Sequence, residues 1–150
     1  MSLKDRLVED MKAAMKAKEE GKVRLSVIRM VRAAIKNAEI DKKTEFNDAQ
    51  VIEVLAREVK MRRDAMVEFA KGNRTDKVQE LEEEVAILME YLPQQFTEEE
   101  IRKIAEEIIA ETGAQGPKDL GKVMGMITPK TKGRADGKIV NQIVRELLGN

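Results

Sequence analysis

Residues 78–96 read "VQELEEEVAILMEYLPQQF". Val78, Leu81, Val85, Leu88 and Leu92 recur at spacings of 3, 4, 3 and 4, which puts them on one stripe of a helix. Such a stripe is a bundle seam, buried when another helix packs on it. Leu92-Pro93 ends the seam, because the residue before proline disfavours helical backbone. The short "PQQF" is therefore read as a boundary between two domains, residues 1–92 and residues 97–150.

On the N-terminal side the same periodicity predicts three more helices. Ser2 with Asp5 resembles a capping box, followed by Leu3, Leu7, Met11 and Ala14, and Gly21 is expected to end the helix. A second helix runs from about Lys22 to Asp41 on Leu25, Ile28, Val31 and Ile35, widened by Val27, Ala34 and Ala38. Asn47 with Gln50 is a cap pair for a third, which ends at Gly72 in the C′ position. Thr75 or Asp76 starts the helix that carries the seam.

On the C-terminal side, Thr97 with Glu100 is a capping box for a helix that Gly113 terminates. Pro117 suits the first turn of the next helix, on Leu120, Val123, Met124 and Ile127. Asp136 caps a last one that buries Ile139, Val140, Ile143, Val144, Leu147 and Leu148. No segment alternates with period two, so no sheet is expected. The predicted fold is all-α: an N-terminal helical bundle over residues 1–92 and a small C-terminal three-helix domain over residues 97–150. The smaller part is near the lower size for independent folding and is expected to lean on the bundle or on a partner.

The 150 residues contain no Cys and no His, which excludes disulfides, thiolate nucleophiles, imidazole catalysis and Cys/His zinc sites. Ser2 and Ser26 are the only serines, and no phosphate-binding glycine loop follows a strand. No catalytic residue, cofactor or metal ligand is assigned. The carboxylates of "ELEEE", 80–84, read as a solvated helix face, and Glu98–Glu100 suit the helix dipole. With no long apolar run and no signal-peptide core, a cytoplasmic protein is expected. Oligomeric state is not legible.

Net charge is zero, but its distribution is uneven. Residues 1–46 carry 12 Lys/Arg against 8 Asp/Glu, residues 74–116 carry 4 against 12, and residues 117–150 carry 7 against 3. Two basic ends flank an acidic middle, which permits local phosphate-binding patches. Arg29, Arg32 and Lys36 form one basic stripe, read either as a phosphate-backbone contact or as a solvated, ion-paired face. "KMRRD", 60–64, is a weaker stripe of the same kind. Lys130, Lys132, Arg134 and Lys138 gather beside the N-terminus of the last helix, where free N–H groups favour anions. Asp136 as cap competes for those N–H groups, so a basic rim is expected rather than an anion pocket. The candidate RNA-contacting residues are thus Lys130, Lys132, Arg134, Lys138, Arg29, Arg32 and Lys36. Gly121, Gly125, Gly133, Asp136 and Gly137 are read as structural. Gly121 and Gly125 are expected at a close helix contact and Gly133 at an unusual backbone angle.

The strings "LPQQFTEEEI", 92–101, and "GKVMGMITPKTKGRADGKIVNQIV", 121–144, resemble the YqeY family, small bacterial proteins. That family shares a domain with the C-terminal tail of GatB, a subunit of the glutamine-dependent amidotransferase that converts misacylated Glu-tRNA or Asp-tRNA. The similar positions are Gly121, Val123, Met124, Lys132, Gly133, Arg134, Ala135, Asp136, Val140 and Asn141. The intervening "GMITPKTK", 125–132, is longer than the link in the tail and has the stand-alone YqeY style. The resemblance implies an all-helical protein whose C-terminal domain contacts tRNA, working with tRNA or a tRNA-processing enzyme. The family's label of carbon–nitrogen ligase with glutamine as amido donor belongs to the whole amidotransferase; this chain resembles neither its amidase subunit nor its ATP-using part. A second class is a protein-interaction module presenting Met124, Met126 and Ile127.

Overall fold

The computed structural model describes residues 1–149 and is all-α, with no strand among the described residues. Seven helices follow in order among those residues: α1 (Leu3–Lys16), α2 (Lys22–Lys42), α3 (Asp48–Lys71), α4 (Thr75–Met89), α5 (Glu98–Thr112), α6 (Leu120–Thr131) and α7 (Gly137–Leu147). They divide between two compact units, Met1–Leu92 and Pro93–Asn150.

In the first unit, α3 packs chiefly on α4 and α1 on α2. Both capping boxes form: Ser2 Oγ accepts from the Asp5 N–H, and Asn47 Oδ1 from the Gln50 N–H. The α4 seam is buried at Val85 and Leu88 and half-buried at Val78, Leu81 and Leu92, with Ile87 adding a second buried side. The buried seam residues meet Val27, Ile28 and Val31 of α2 and Val51, Leu55 and Val59 of α3 in one core. Burial of one such aliphatic side chain is worth about 1.5–3 kcal/mol.

Gly21 does not end α1. That helix stops at Lys16, and a 3-10 turn over Lys18–Gly21 follows. The left-handed residue is Lys18, at φ 54°. Gly21 is instead buried against α1, where a Cβ would stand 2.2 Å from the Ala14 carbonyl oxygen. Gly72 caps α3 at φ −91°, and Asn73 takes the left-handed turn at φ 58°. Asparagine tolerates that region because its short side chain bonds locally.

A buried ion cluster lies under the α3–α4 pairing. Arg62 is 6% exposed; its Nε donates to Glu84 Oε1 at 2.9 Å and its Nη1 to Glu58 Oε1 at 3.0 Å. "KMRRD" is expected as a basic stripe, phosphate-contacting or on a solvated, ion-paired face, and "ELEEE" as a solvated face. Arg62 is buried and Glu84 half-buried because these two meet across the helix pair, whereas Lys60, Glu80, Glu82 and Glu83 stay exposed. Tyr91 is a second tie: its hydroxyl donates to Asp10 of α1, and the Arg6 guanidinium lies 4.5 Å from its ring centre.

In the second unit, α5 packs on α6 and α7. Ile101, Ala105 and Ile108 meet Val123, Ile127, Val140, Ile143 and Val144 in a separate core. Thr97 Oγ1 accepts from the Glu100 N–H, and Gly113 closes α5 at φ 70°. Pro117 opens a 3-10 turn, Pro117–Asp119, that leads into α6. Ile139 is 38% exposed, not buried, and Leu147 is half-buried.

Candidate functional site

The cations of the second unit are set out by the loop between α6 and α7. Gly133 is buried at φ 76°, a left-handed angle that glycine adopts without a Cβ penalty. The reversal it makes is held by the segment before α5. Gln95 Nε2 donates to the Gly133 carbonyl at 2.8 Å, and the Phe96 N–H to the Arg134 carbonyl at 2.7 Å. Arg134 closes the clamp: its Nε donates to the Gln94 carbonyl at 2.9 Å, and its guanidinium stacks 3.8 Å from the centre of the Phe96 ring. Arg134 is therefore half-buried and engaged within the unit. Its charge also helps hold the Glu100 carboxyl below the usual carboxylate range, after the larger effect of the Thr97 N–H and hydroxyl.

Lys130, Lys132 and Lys138 are exposed, from the last turn of α6 to the first turn of α7. Asp136 Oδ1 accepts from the Lys138 N–H at 2.9 Å, which uses one of the N–H groups an anion would need. Gly121, Gly125 and Gly137 are exposed, and a Cβ at any of them would meet nothing within 4 Å. The close helix contact expected at Gly121 and Gly125 is not made; α6 turns that face outward. Of the apolar trio, Ile127 is fully buried, Met124 is half-buried and only Met126, at 39%, is exposed. An apolar docking face built on all three is therefore not present.

The cations of the first unit line a groove. Arg29, Arg32 and Lys36 are exposed along α2, and Lys4 of α1 stands on the other wall of a cleft of about 750 Å³. Leu7, Val8, Ala33, Ile35 and Ile40 supply apolar lining, and Asp5, Glu39 and Glu45 supply carboxylates. Glu39 accepts from Lys4 Nζ at 2.5 Å and from the Phe46 N–H at 2.7 Å. Those two bonds, Lys4 first, hold its carboxyl below the usual range. Arg32 Nη1 lies 3.2 Å from Met11 Sδ, a weak contact that brings no counter-charge. The periodic spacing identified the α2 stripe. Nothing in it disclosed Lys4, Glu39 or the cleft, which exist only because α1 folds back along α2.

These features define a class: a small all-helical protein with basic surface patches on each of two units. The chain belongs to the YqeY family, whose model, described as Yqey-like protein, matches residues 4–148. It is similar to altered inheritance of mitochondria protein 41, mitochondrial, of Kluyveromyces lactis, with 34% identity over 129 residues, 83% of this chain and 69% of that one. The protein of the same name from Lachancea thermotolerans is 35% identical over 59% of this chain and 46% of its own length. A glutamyl-tRNA(Gln) amidotransferase subunit of Methanospirillum hungatei is 43% identical over 56 residues, 35% of this chain but only 9% of the subunit. The match to that enzyme is thus a short segment, about the length of the second unit. No helix of the described residues is long and apolar enough to cross a membrane.

Proposed function

We propose that this YqeY-family protein is a tRNA-binding or tRNA-amidotransferase-related accessory protein without a catalytic centre of its own. The observation that carries the reading is the 43% identity to a segment of a glutamyl-tRNA(Gln) amidotransferase subunit. The placement of the cations is consistent with it. Lys138 sits in the first turn of α7, which has no acidic residue, and a cation there opposes the helix dipole. Lys130, Lys132 and Lys138 are assigned the phosphate contacts and Arg134 the support of the loop. A cytoplasmic location is part of the proposal; the yeast relatives carry a mitochondrial name, so fractionation of cells expressing the tagged chain is the check.

The experiment is binding to total tRNA against salt concentration. Phosphate contact predicts log affinity falling linearly with log salt, by about 0.7–0.9 per contact. Lys130→Ala and Lys132→Ala lower that slope, each by about one contact. Arg134→Ala lowers thermal stability instead and leaves the slope of the remaining folded protein nearly unchanged. No binding to any tRNA at low salt sinks the proposal.

A further inference from the structure

Three methionines of the first unit hold their sulfur against an arginine of a neighbouring helix. Met11 of α1 faces Arg32 of α2, Met30 of α2 faces Arg62 of α3, and Met89 of α4 faces Arg63 of α3. Met11 and Met89 are half-buried, whereas Met30 is 51% exposed. Its partner Arg62 is buried, and the donors of that guanidinium are unequally served. Nε and Nη1 bond to carboxylate and carbonyl oxygens at 2.9, 3.0 and 3.1 Å. Nη2 donates to Met30 Sδ at 3.8 Å, and a thioether is a weak acceptor. A buried cation thus has one terminal nitrogen whose partner is an exposed, oxidisable side chain.

We propose that Met30 is a site of reversible oxidation whose sulfoxide oxygen takes up the Arg62 Nη2 bond and fastens α2 to α3. The oxidant is a peroxide. A lone pair of Sδ attacks one peroxide oxygen, the O–O bond breaks and an S–O bond forms. Sulfur gives up two electrons. With hydrogen peroxide, the proton on the transferred oxygen moves to the departing one, which leaves as water. A sulfoxide ordinarily puts a polar group where an apolar one was packed, and so disrupts a core. Here the sign is reversed, because Met30 is half open to water and the new oxygen meets a buried, charged donor. The 3.8 Å separation exceeds the usual N–H···O length of about 2.9–3.0 Å, which leaves room for an oxygen set obliquely between the two atoms. The flexible methionine side chain lets it take that orientation. At Met11, 3.2 Å from Arg32 Nη1, that room is missing. Met15 and Met61 are as exposed as Met30, but neither sulfur contacts a guanidinium among the described residues, so their oxidation adds no bond. The inference does not depend on RNA contact by the second unit.

The test treats the folded full chain with graded hydrogen peroxide and reads each methionine's oxidation by peptide mass spectrometry. Met30 is expected to convert among the first, with Met15 and Met61, and methionine sulfoxide reductase to return it. Urea unfolding is then followed at Tyr91, the single tyrosine, which lies in the first unit. Peroxide is expected to lower the unfolding constant of the wild-type chain about fivefold relative to its effect on Met30→Leu, a comparison that cancels the other methionines. Met30→Gln, whose amide oxygen stands in for the sulfoxide without any oxidant, gives a gain of the same sign over Met30→Leu. Arg62→Lys, which keeps the charge and removes Nη2, abolishes that gain. Met61→Gln gives none over Met61→Leu. The proposal is overturned if Met30 oxidises only when the chain unfolds, or if the reductase cannot return it. It is overturned equally if peroxide destabilises the wild-type chain as much as Met30→Leu, or if the Met30→Gln gain survives Arg62→Lys.

Discussion

Replacing Arg62 with Met isolates the contribution of the buried ion cluster. The substitution keeps most of the apolar stem and removes the guanidinium. It deletes the bonds to Glu84 Oε1 at 2.9 Å, to Glu58 Oε1 at 3.0 Å and to the Glu58 carbonyl at 3.1 Å. Two carboxylates then stay behind without this counter-ion, their side chains only 12% and 26% exposed. Removing one member of a buried pair costs about 3–5 kcal/mol; Glu84 is a quarter exposed, which moves the expectation to about 3 kcal/mol. For a unit of this size that is about 12–24 °C in Tm. The chain has one Tyr and no Trp, and Tyr91 lies in the first unit. Tyrosine fluorescence during urea unfolding therefore reports that unit alone, while circular dichroism reports both. Replacing all three residues by apolar ones of similar volume is expected to recover most of the loss, because no charge then stays buried. Lys60→Ala, which breaks a half-exposed pair with Asp64, is the control and should cost under about 1 kcal/mol. An Arg62→Met loss no larger than that of the control would mean that water reaches the two carboxylates and that the cluster is not a buried one.

Other substitutions probe the backbone and the carboxylates. Gly21→Ala forces a Cβ to within 2.2 Å of the Ala14 carbonyl and should cost at least about 1–3 kcal/mol in the same urea assay; a neutral result means the α1–α2 turn adjusts freely. Gly125→Ala acts oppositely: it adds a methyl to open space inside an exposed helix and should stabilise the second unit by about 0.5–1 kcal/mol, read by circular dichroism. Destabilisation there would restore the close helix contact the structure denies. Glu39 and Glu100 both have carboxyl groups held below their ordinary value of 4.5. A lowered folded pKa gives stability that is present above the unfolded value and lost as pH falls through the folded one. Unfolding midpoints should thus drop below about pH 4.5, and Glu39→Gln should flatten that limb in the tyrosine signal.

Much of the helical layout was legible because it depends on neighbours in sequence. Caps such as Thr97 with Glu100 and the 3–4 spacing of Val85 and Leu88 act within one or two turns. Glycine roles were legible only where conformation was the issue. Gly133 does hold a left-handed angle, but Gly21 is required by an approach to Ala14 and Gly125 by no contact at all. Among the candidate site residues, Arg134 reads as one more cation in a run; its partners Gln94 and Phe96 are 40 and 38 positions away.

Helical periodicity, caps and motif strings are local properties, so the chain's residues alone suffice for an all-α fold and for membership of the YqeY family. Which charges face solvent is a different matter, settled when distant segments meet. Folding α3 onto α4 buried Arg62 with Glu58 and Glu84, and pairing "PQQF" with the Gly133 loop engaged Arg134. Laying α1 along α2 turned a basic stripe into one wall of a cleft. The residue type sets a charge, but its surroundings set whether it binds a partner or holds the fold, and those surroundings come from segments far apart along the chain.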